Sequence, residues 1–300
     1  MIKVLLTGAS GFIGSHCIEP LLALGYEVHC VSSKEVSDNR VNVVWHKANL
    51  LDSVDINNLV TKVSPSHLMH MAWYVEPGKV TNSLNNILWV EKSIELLRTF
   101  KNTGGQRSVF CGTCYEYDVQ QGYCTETVTP TNPSSFYGVS KNALRQLYEK
   151  YTELAEMSGA WGRVFLLYGP NENPNRLVSS VIISLLKNQH AKCSHGEQIR
   201  DYMHVQDAAD ALVTLLESEH TGPYNICSGQ GNSLRDIVVQ IGESIGKPEL
   251  IKLGAIPARA DDVPLIVGDT QKFYNATGWL AKFDLEDGLE HTINWWKDNL

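Results

Sequence analysis

The first apolar run of the chain ends in Thr7-Gly-Ala-Ser-Gly-Phe-Ile-Gly-Ser15, where Gly8, Gly11 and Gly14 recur at every third residue. Lys3 to Leu6 before this segment reads as a short strand, and Cys17 to Leu24 after it reads as an amphipathic helix, so the glycines sit in a strand-to-helix turn. Each glycine has its own task there. One permits the tight turn, one lets backbone N–H groups approach a pyrophosphate, and one lets the helix pack closely on the strand. The helix N-terminus adds positive potential. The same residues would fit a plain turn, and it is their place in the first βα unit that points to dinucleotide binding.

The rhythm continues through the first half. Glu27 to Val31, Val41 to Trp45, His67 to Met71, Ser108 to Cys111 and Ala160 to Leu166 read as further strands. Ile56 to Val63, Leu84 to Phe100 and Asn142 to Met157 carry apolar residues at helical spacing between them. Strand and helix in alternation predict an α/β fold, a doubly wound parallel Rossmann sheet with helices on both faces. After Gly169 the pattern weakens. Residues 1–169 are therefore expected to form the dinucleotide-binding domain and 170–300 mainly a smaller C-terminal substrate domain. The two are partly interleaved if the helix at Val205 to Ser218 returns to the main sheet.

Composition excludes several classes. A formal charge of -8 argues against a broad grip on nucleic acid or an anionic membrane, so an anionic ligand must be held by a local pocket. No apolar stretch reaches spanning length, which makes the cytoplasm the default expectation. Seven cysteines scattered in such a chain are expected to be reduced thiols, and Cys111 with Cys114 lacks the second pair a zinc site needs, so no metal is expected.

The TGxxGxxG spacing is similar to that of the extended short-chain dehydrogenases/reductases, the NAD-dependent epimerase/dehydratase group. The resemblance implies a cofactor site built from Gly8, Ser10, Gly11, Phe12, Ile13 and Gly14. At the end of the second strand a carboxylate favours NAD, whereas a basic residue accepts the 2′-phosphate of NADP. Ser33 and Lys34 stand there, which favours NADP and leaves NAD open, with Glu35 as the competing sign. Asn49-Leu50 takes the place of the family's adenine-side Asp-Leu, and Ala72 that of a small residue beside the nicotinamide. His70 reads as structural.

Tyr137-Gly-Val-Ser-Lys141 opens a helix and places the phenol and the ammonium on one face. A phenol is a poor acid or base at neutral pH, and a cation one turn away favours its ionised form. In the family this pair also contacts the cofactor. The resemblance assigns the catalytic Ser/Thr place to Thr113, which would hold the reacting oxygen of the substrate, and the lysine-supporting helix Asn to Asn86, with Asn85 as the register alternative.

Later segments look like the nucleotide-sugar branch: Tyr168-Gly-Pro170, Gly196 to Asp201, His204 to Asp207, Tyr224 to Ile226, and Arg259 with Asp262. By resemblance Arg200 and Arg259 would hold the diphosphate of a nucleotide sugar. Cys114 and Tyr115 replace the Asp-Glu pair of the dehydratases, which disfavours dehydration. The tail from Leu253 to Arg259 through Gly278-Trp279, together with Gly196 to Asp201, is similar to 4-ketoreductases of the CDP-abequose synthase kind. They imply NAD(P)H-dependent reduction of the C4 ketone of a 4-keto-6-deoxy sugar. The alternative is a 4-epimerase with tightly bound NAD. Helices Leu84 to Phe100 and Asn142 to Met157 resemble the family's dimer-forming pair, so a homodimer is expected.

Overall fold

The computed structural model describes residues 1–258 and 262–300. Seven parallel strands form the main sheet: β1 (Lys3–Thr7), β2 (Glu27–Ser32), β3 (Val43–Lys47), β4 (His67–His70), β5 (Arg107–Thr113), β6 (Ser158–Val164) and β7 (Gly222–Ile226). Their order across the sheet is β7-β6-β5-β4-β1-β2-β3. The order reverses beside β1, and such a switch point opens a crevice at the strand C-termini.

Side-chain alternation along each strand splits the interior into two cores. Val4 and Leu6 of β1 face one core with Cys17, Ile18 and Leu21 of α1 (Phe12–Ala23). Leu5, between them, faces the other core with Ile56, Leu59 and Val60 of α2 (Ser53–Val63) and Leu96, Leu97 and Phe100 of α3 (Asn85–Asn102). Leu144 and Tyr148 of α4 (Phe136–Leu154) complete this second layer, against Phe110 and Trp161. Burial on both faces explains why these strands read as near-continuous apolar runs.

Downstream of β6 the chain leaves the sheet and later rejoins it. Phe165 marks the exit, and Leu166–Tyr168 pairs with Ile199–His204 in a smaller sheet that also contains Tyr123–Cys124, Gly231–Ser233 and Leu265–Gly268. A third core joins α5 (Leu177–Leu186) to the later helices α7 (Leu234–Ile245) and α9 (Leu285–Asn299) through Val178, Ile182, Ile237, Ile241, Leu289 and Trp296. Between them α6 (Val205–Glu217) returns to the first core, packing Ala208, Leu212 and Leu215 beside α1. Its last carbonyls are capped from within the sheet, because buried Arg107 donates to the carbonyls of Leu215 and, at 3.1 Å, Leu216, and beyond the helix to that of His220 at 2.8 Å. A guanidinium at a helix C-terminus is also favoured by the helix dipole. The chain then runs into β7 and on to α8 (Gln271–Thr277).

The strand and helix pattern expected for the first half appears as read, with shifts at the ends. The first helix starts at Phe12 rather than near Cys17, because Gly11 can serve as its N-cap directly after the turn. The third strand starts at Val43, since Asn42 before it adopts a left-handed conformation (φ 64°) that breaks extension. The strand β7 was not read as a strand of the main sheet. Gly222 and Pro223 at its start carry turn signals, and the edge position tolerates them.

Candidate functional site

The glycine turn owes its shape to missing side chains. Gly8 has φ +68°, and a Cβ there would lie 2.8 Å from the Ala72 nitrogen at the end of β4. At Gly14 a Cβ would enter the Gly8 carbonyl oxygen, so α1 packs directly on the turn. Gly11 donates to that same carbonyl at 2.9 Å and caps α1 with no side-chain hydrogen bond. The first-turn N–H groups of Phe12 and Ile13 thus have no intrahelical acceptor, and the turn carries no acidic residue. This cradle fits the pyrophosphate of a dinucleotide. Ser10 is exposed beside it and bonds Ser32 Oγ at 3.3 Å.

At the end of β2, Ser33 and Lys34 are both exposed, and the Lys34 N–H donates to Ser32 Oγ at 3.1 Å. The neighbouring Glu35 is turned to Lys47, with 3.2 Å between charged atoms. Asn49 is exposed; its Oδ1 accepts from the Leu51 N–H at 3.1 Å, and Leu50 is buried in the second core. Ala72 donates its N–H to Thr7 Oγ1 at 3.4 Å. The same Thr7 hydroxyl is 2.7 Å from His70 Nδ1, and Ser93 Oγ is 2.8 Å from Nε2. Burial holds His70 far below its usual pKa, at about 3, so a neutral ring donates one hydrogen bond and accepts the other. It staples β4 to β1 and α3.

The C-terminal end of β5 brings Thr113 and Glu116 together. Thr113 is nearly buried and caps a short 3-10 turn, its Oγ1 accepting from the Tyr115 N–H at 3.3 Å, which leaves the hydroxyl proton available to a substrate oxygen. Its backbone N–H donates to Glu116 Oε1 at 2.9 Å. Glu116 is fully buried and also accepts from Trp161 Nε1 at 2.9 Å and Arg163 Nε at 2.9 Å. Arg163 continues to the Tyr117 hydroxyl at 2.9 Å, and that hydroxyl donates to Asn225 at 2.8 Å. A buried ion pair with its hydrogen bonds satisfied fixes a conformation more than it adds stability. This one fixes Thr113.

Ser135 caps α4 by accepting from the Gly138 N–H at 3.1 Å, which sets Tyr137 in the first helical turn. Gly138 lies against the Tyr115 carbonyl, where no Cβ would fit, so the helix meets the turn that holds Thr113. Tyr137 is partly buried, and burial pushes its phenol well above the usual range, with the adjacent Thr113 hydroxyl pulling the other way. Lys141 is brought to the end of β5, where Nζ donates to the Cys111 carbonyl at 2.8 Å. Burial lowers its pKa to about 8, against the opposing pull of Cys111 and Glu116. The phenol thus stands above its usual range, whereas the lysine one turn away was expected to draw it down.

Asn86, rather than Asn85, is the buried member of its pair. Its Oδ1 accepts from Trp73 Nε1 at 2.9 Å, and its Nδ2 donates to the carbonyls of Val80 at 2.7 Å and Ser83 at 2.9 Å, so it does not touch Lys141 directly. Trp73 stands between them. Sequence reasoning passed over Trp73, Glu116 and Gly138; only Gly138 carried a local signal, a glycine inside a helical pattern.

Arg200 is almost fully buried rather than solvated. Its guanidinium pairs with Asp262 and donates to the carbonyls of Ile199 at 2.8 Å and Val263 at 2.7 Å. Gln198 donates to the same Asp262 at 3.0 Å, while its Oε1 is buried without a partner among the described residues. Arg259 lies outside the described residues. Cys111 and Cys114 are free thiols, as are the other five cysteines.

Residues 4–227 match the NAD dependent epimerase/dehydratase family. The chain belongs to that family. It is an enzyme of the NAD-dependent oxidoreductase type within the extended short-chain dehydrogenases/reductases. Among curated relatives it is 27% identical to CDP-abequose synthase of Salmonella typhimurium, over 97% of each chain. It is 28% identical to UDP-glucose 4-epimerase 2 of Oryza sativa, over 99% of this chain and 82% of that one. Among solved structures, UDP-glucose 4-epimerase of Thermus thermophilus in complex with NAD aligns at a TM-score of 0.87 with 26% identity, covering 100% of both chains. No described helix is long and apolar enough to cross a membrane.

Proposed function

We propose that this enzyme reduces the C4 ketone of a nucleotide-linked 4-keto-6-deoxy sugar, using NADPH in preference to NADH. The observation that carries the reading is the meeting of Thr113, Tyr137 and Lys141 at the end of β5, one strand from the Gly8–Ala72 contact. The glycine turn Gly8–Gly14 would hold the dinucleotide, whose reduced nicotinamide, when bound, would supply the hydride for the carbonyl carbon. Thr113 donates its hydroxyl proton in a hydrogen bond to the ketone oxygen and orients it. Tyr137 gives its phenolic proton to that oxygen as it becomes an alkoxide, a transfer that suits a phenol kept protonated by burial. Lys141 supplies positive charge beside the reacting group. Asn86 acts on Lys141 through Trp73 rather than by contact.

Reduction is favoured over epimerisation at the cofactor's edge. Ser33 and Lys34 offer donors and a cation to a 2′-phosphate, and Glu35, the competing carboxylate, is held by Lys47. An exchangeable NADPH suits a reductase. Cys114 and Tyr115 after Thr113 supply no acid/base pair for dehydration, so the ketone arrives already made. Arg200, with Arg259, is assigned to the substrate diphosphate, and residues 170–300 mainly to the substrate side. Exposed Leu84 and Ile87 beside and on α3, with Val139 and Leu147 on α4, support a homodimer through these helices. Seven free thiols suit a reducing cytoplasm.

The test is a panel of CDP-, dTDP- and GDP-4-keto-6-deoxyhexoses. At least one should oxidise NADPH mole for mole, read as loss of nicotinamide absorbance. Protein that carries tightly bound NAD and interconverts UDP-hexoses at C4, with no net absorbance change and no keto sugar reduced, would overturn the reading in favour of the epimerase.

A further inference from the structure

Trp73 follows the small residue at the end of β4, and its indole is held from two sides. Its Nε1 donates to Asn86 Oδ1 at 2.9 Å. Asn86 is itself pinned by the Val80 and Ser83 carbonyls. Trp89 packs against the ring, with centroids 6.0 Å apart. An indole so anchored cannot turn without leaving a buried donor unpaired. The Lys141 ammonium stands over its face, 3.8 Å from the ring centroid. Among the described residues Lys141 makes one hydrogen bond, to the Cys111 carbonyl. A cation over an indole face is attracted by the ring's quadrupole, most strongly where water is excluded.

We propose that Trp73 is a positioning residue for Lys141, its ring face holding the ammonium in place and its N–H, fixed by Asn86, holding the ring. The consequence for turnover rests on the reading of Lys141 given above, while the contact itself does not. Among the described residues His70 from β4, Cys111 from β5 and Glu116 from the turn after β5 act on the lysine, and Tyr137 stands one turn earlier on its own helix. Cys111 and Glu116 favour the charged lysine and burial opposes it. The indole adds a neutral group on the favouring side.

The experiment is a titration of Lys141 in the full-length protein by carbon NMR of labelled lysine, with the resonance assigned from the Lys141→Arg spectrum. Trp73→Leu should lower the midpoint by about half a unit to one unit, the size of a cation–π contact expressed as a pKa. Trp73→Phe keeps a ring and should restore most of it. Trp73→Met, with flexible apolar bulk, replaces the leucine variant if that one does not fold, and should show the same drop. An unchanged midpoint in the leucine or methionine variant, or an equal drop in the phenylalanine variant, overturns the proposal. In a pH profile of NADPH oxidation the alkaline limb of Trp73→Leu should move down by the same amount. A shifted NMR midpoint in a protein that reduces no keto sugar overturns only the reductase reading. An unshifted one in an active reductase overturns only this inference.

Discussion

The glycine turn after β1, proposed for the cofactor, is built from backbone, whereas the Arg200 cluster, proposed for the substrate, is built from long polar side chains. In the first, side chains at Gly8 and Gly14 would run into the Ala72 nitrogen and the Gly8 carbonyl, and the first N–H groups of α1 have no intrahelical acceptor. In the second, Arg200 is already occupied by Asp262 and two carbonyls, and Gln198 shares the same carboxylate. A pyrophosphate at the first site displaces only water. A diphosphate at the second must compete with protein acceptors, so binding there includes the cost of rearranging charged side chains.

The largest effect falls on the proposed proton donor. Tyr137→Phe should lower turnover by about two to four orders of magnitude while cofactor affinity is kept, as for loss of a general acid. Near wild-type turnover in steady-state assays would remove Tyr137 from the chemistry. Next in size is a change that should matter far from any side-chain chemistry. Burial raises the pKa of Glu172 to about 7, with hydrogen bonds from Ser179 opposing the rise. Between its ordinary carboxylate value and about 7 the folded state therefore keeps a proton that the unfolded chain releases. Stability falls as pH rises through that window, by on the order of 3 kcal/mol if the whole shift is expressed. Glu172→Gln should flatten this dependence and be the more stable protein at pH 8; parallel pH curves in urea unfolding would refute the assignment.

Gly14→Ala probes the backbone cradle directly. The added carbon meets a carbonyl oxygen, not a flexible side chain, so we expect a loss of about 1–3 kcal/mol, the range for overpacking, together with loss of dinucleotide binding. Calorimetric titration that finds cofactor affinity unchanged would break the comparison drawn above. The smallest expected effect sharpens it, because Lys34 is the point where the cofactor side does rely on a side chain. Lys34→Ala should weaken NADPH by about tenfold and leave NADH nearly unchanged, since only NADPH presents the dianion. Equal loss for both would place the discrimination elsewhere.

The same division explains what could be read from sequence. The cradle was legible because glycines mark atoms that must be missing, and the Tyr-Lys pair because one helical turn fixes the spacing of its members. Glu116, buried and joined to Trp161 and Arg163 from β6, was not legible, since its role depends on which strand lies beside β5. Trp73 was hidden for a similar reason. Its partners, Asn86 and Lys141, come from helices 13 and 68 residues further along the chain, and no local pattern joins them. Arg200 was identified as a residue of interest, but its engagement with Asp262 is a matter of tertiary placement. The seventh strand went unread because its edge position permits Gly222 and Pro223, which elsewhere signal a turn.

That last strand has a consequence for biosynthesis. Because β7 closes the edge of the sheet against β6, and Arg107 at the start of β5 closes off α6, the nucleotide-binding half is not finished when residue 169 has been made. A nascent chain leaving the ribosome must hold the edge of β6 unpaired until residues up to Ile226 have emerged. At ordinary synthesis rates, roughly 5–20 residues per second, that interval lasts several seconds. During it the exposed strand is open to pairing with another chain. The order of events is then set by the ribosome, and shielding that one strand edge for those seconds would protect the nascent chain from mispairing.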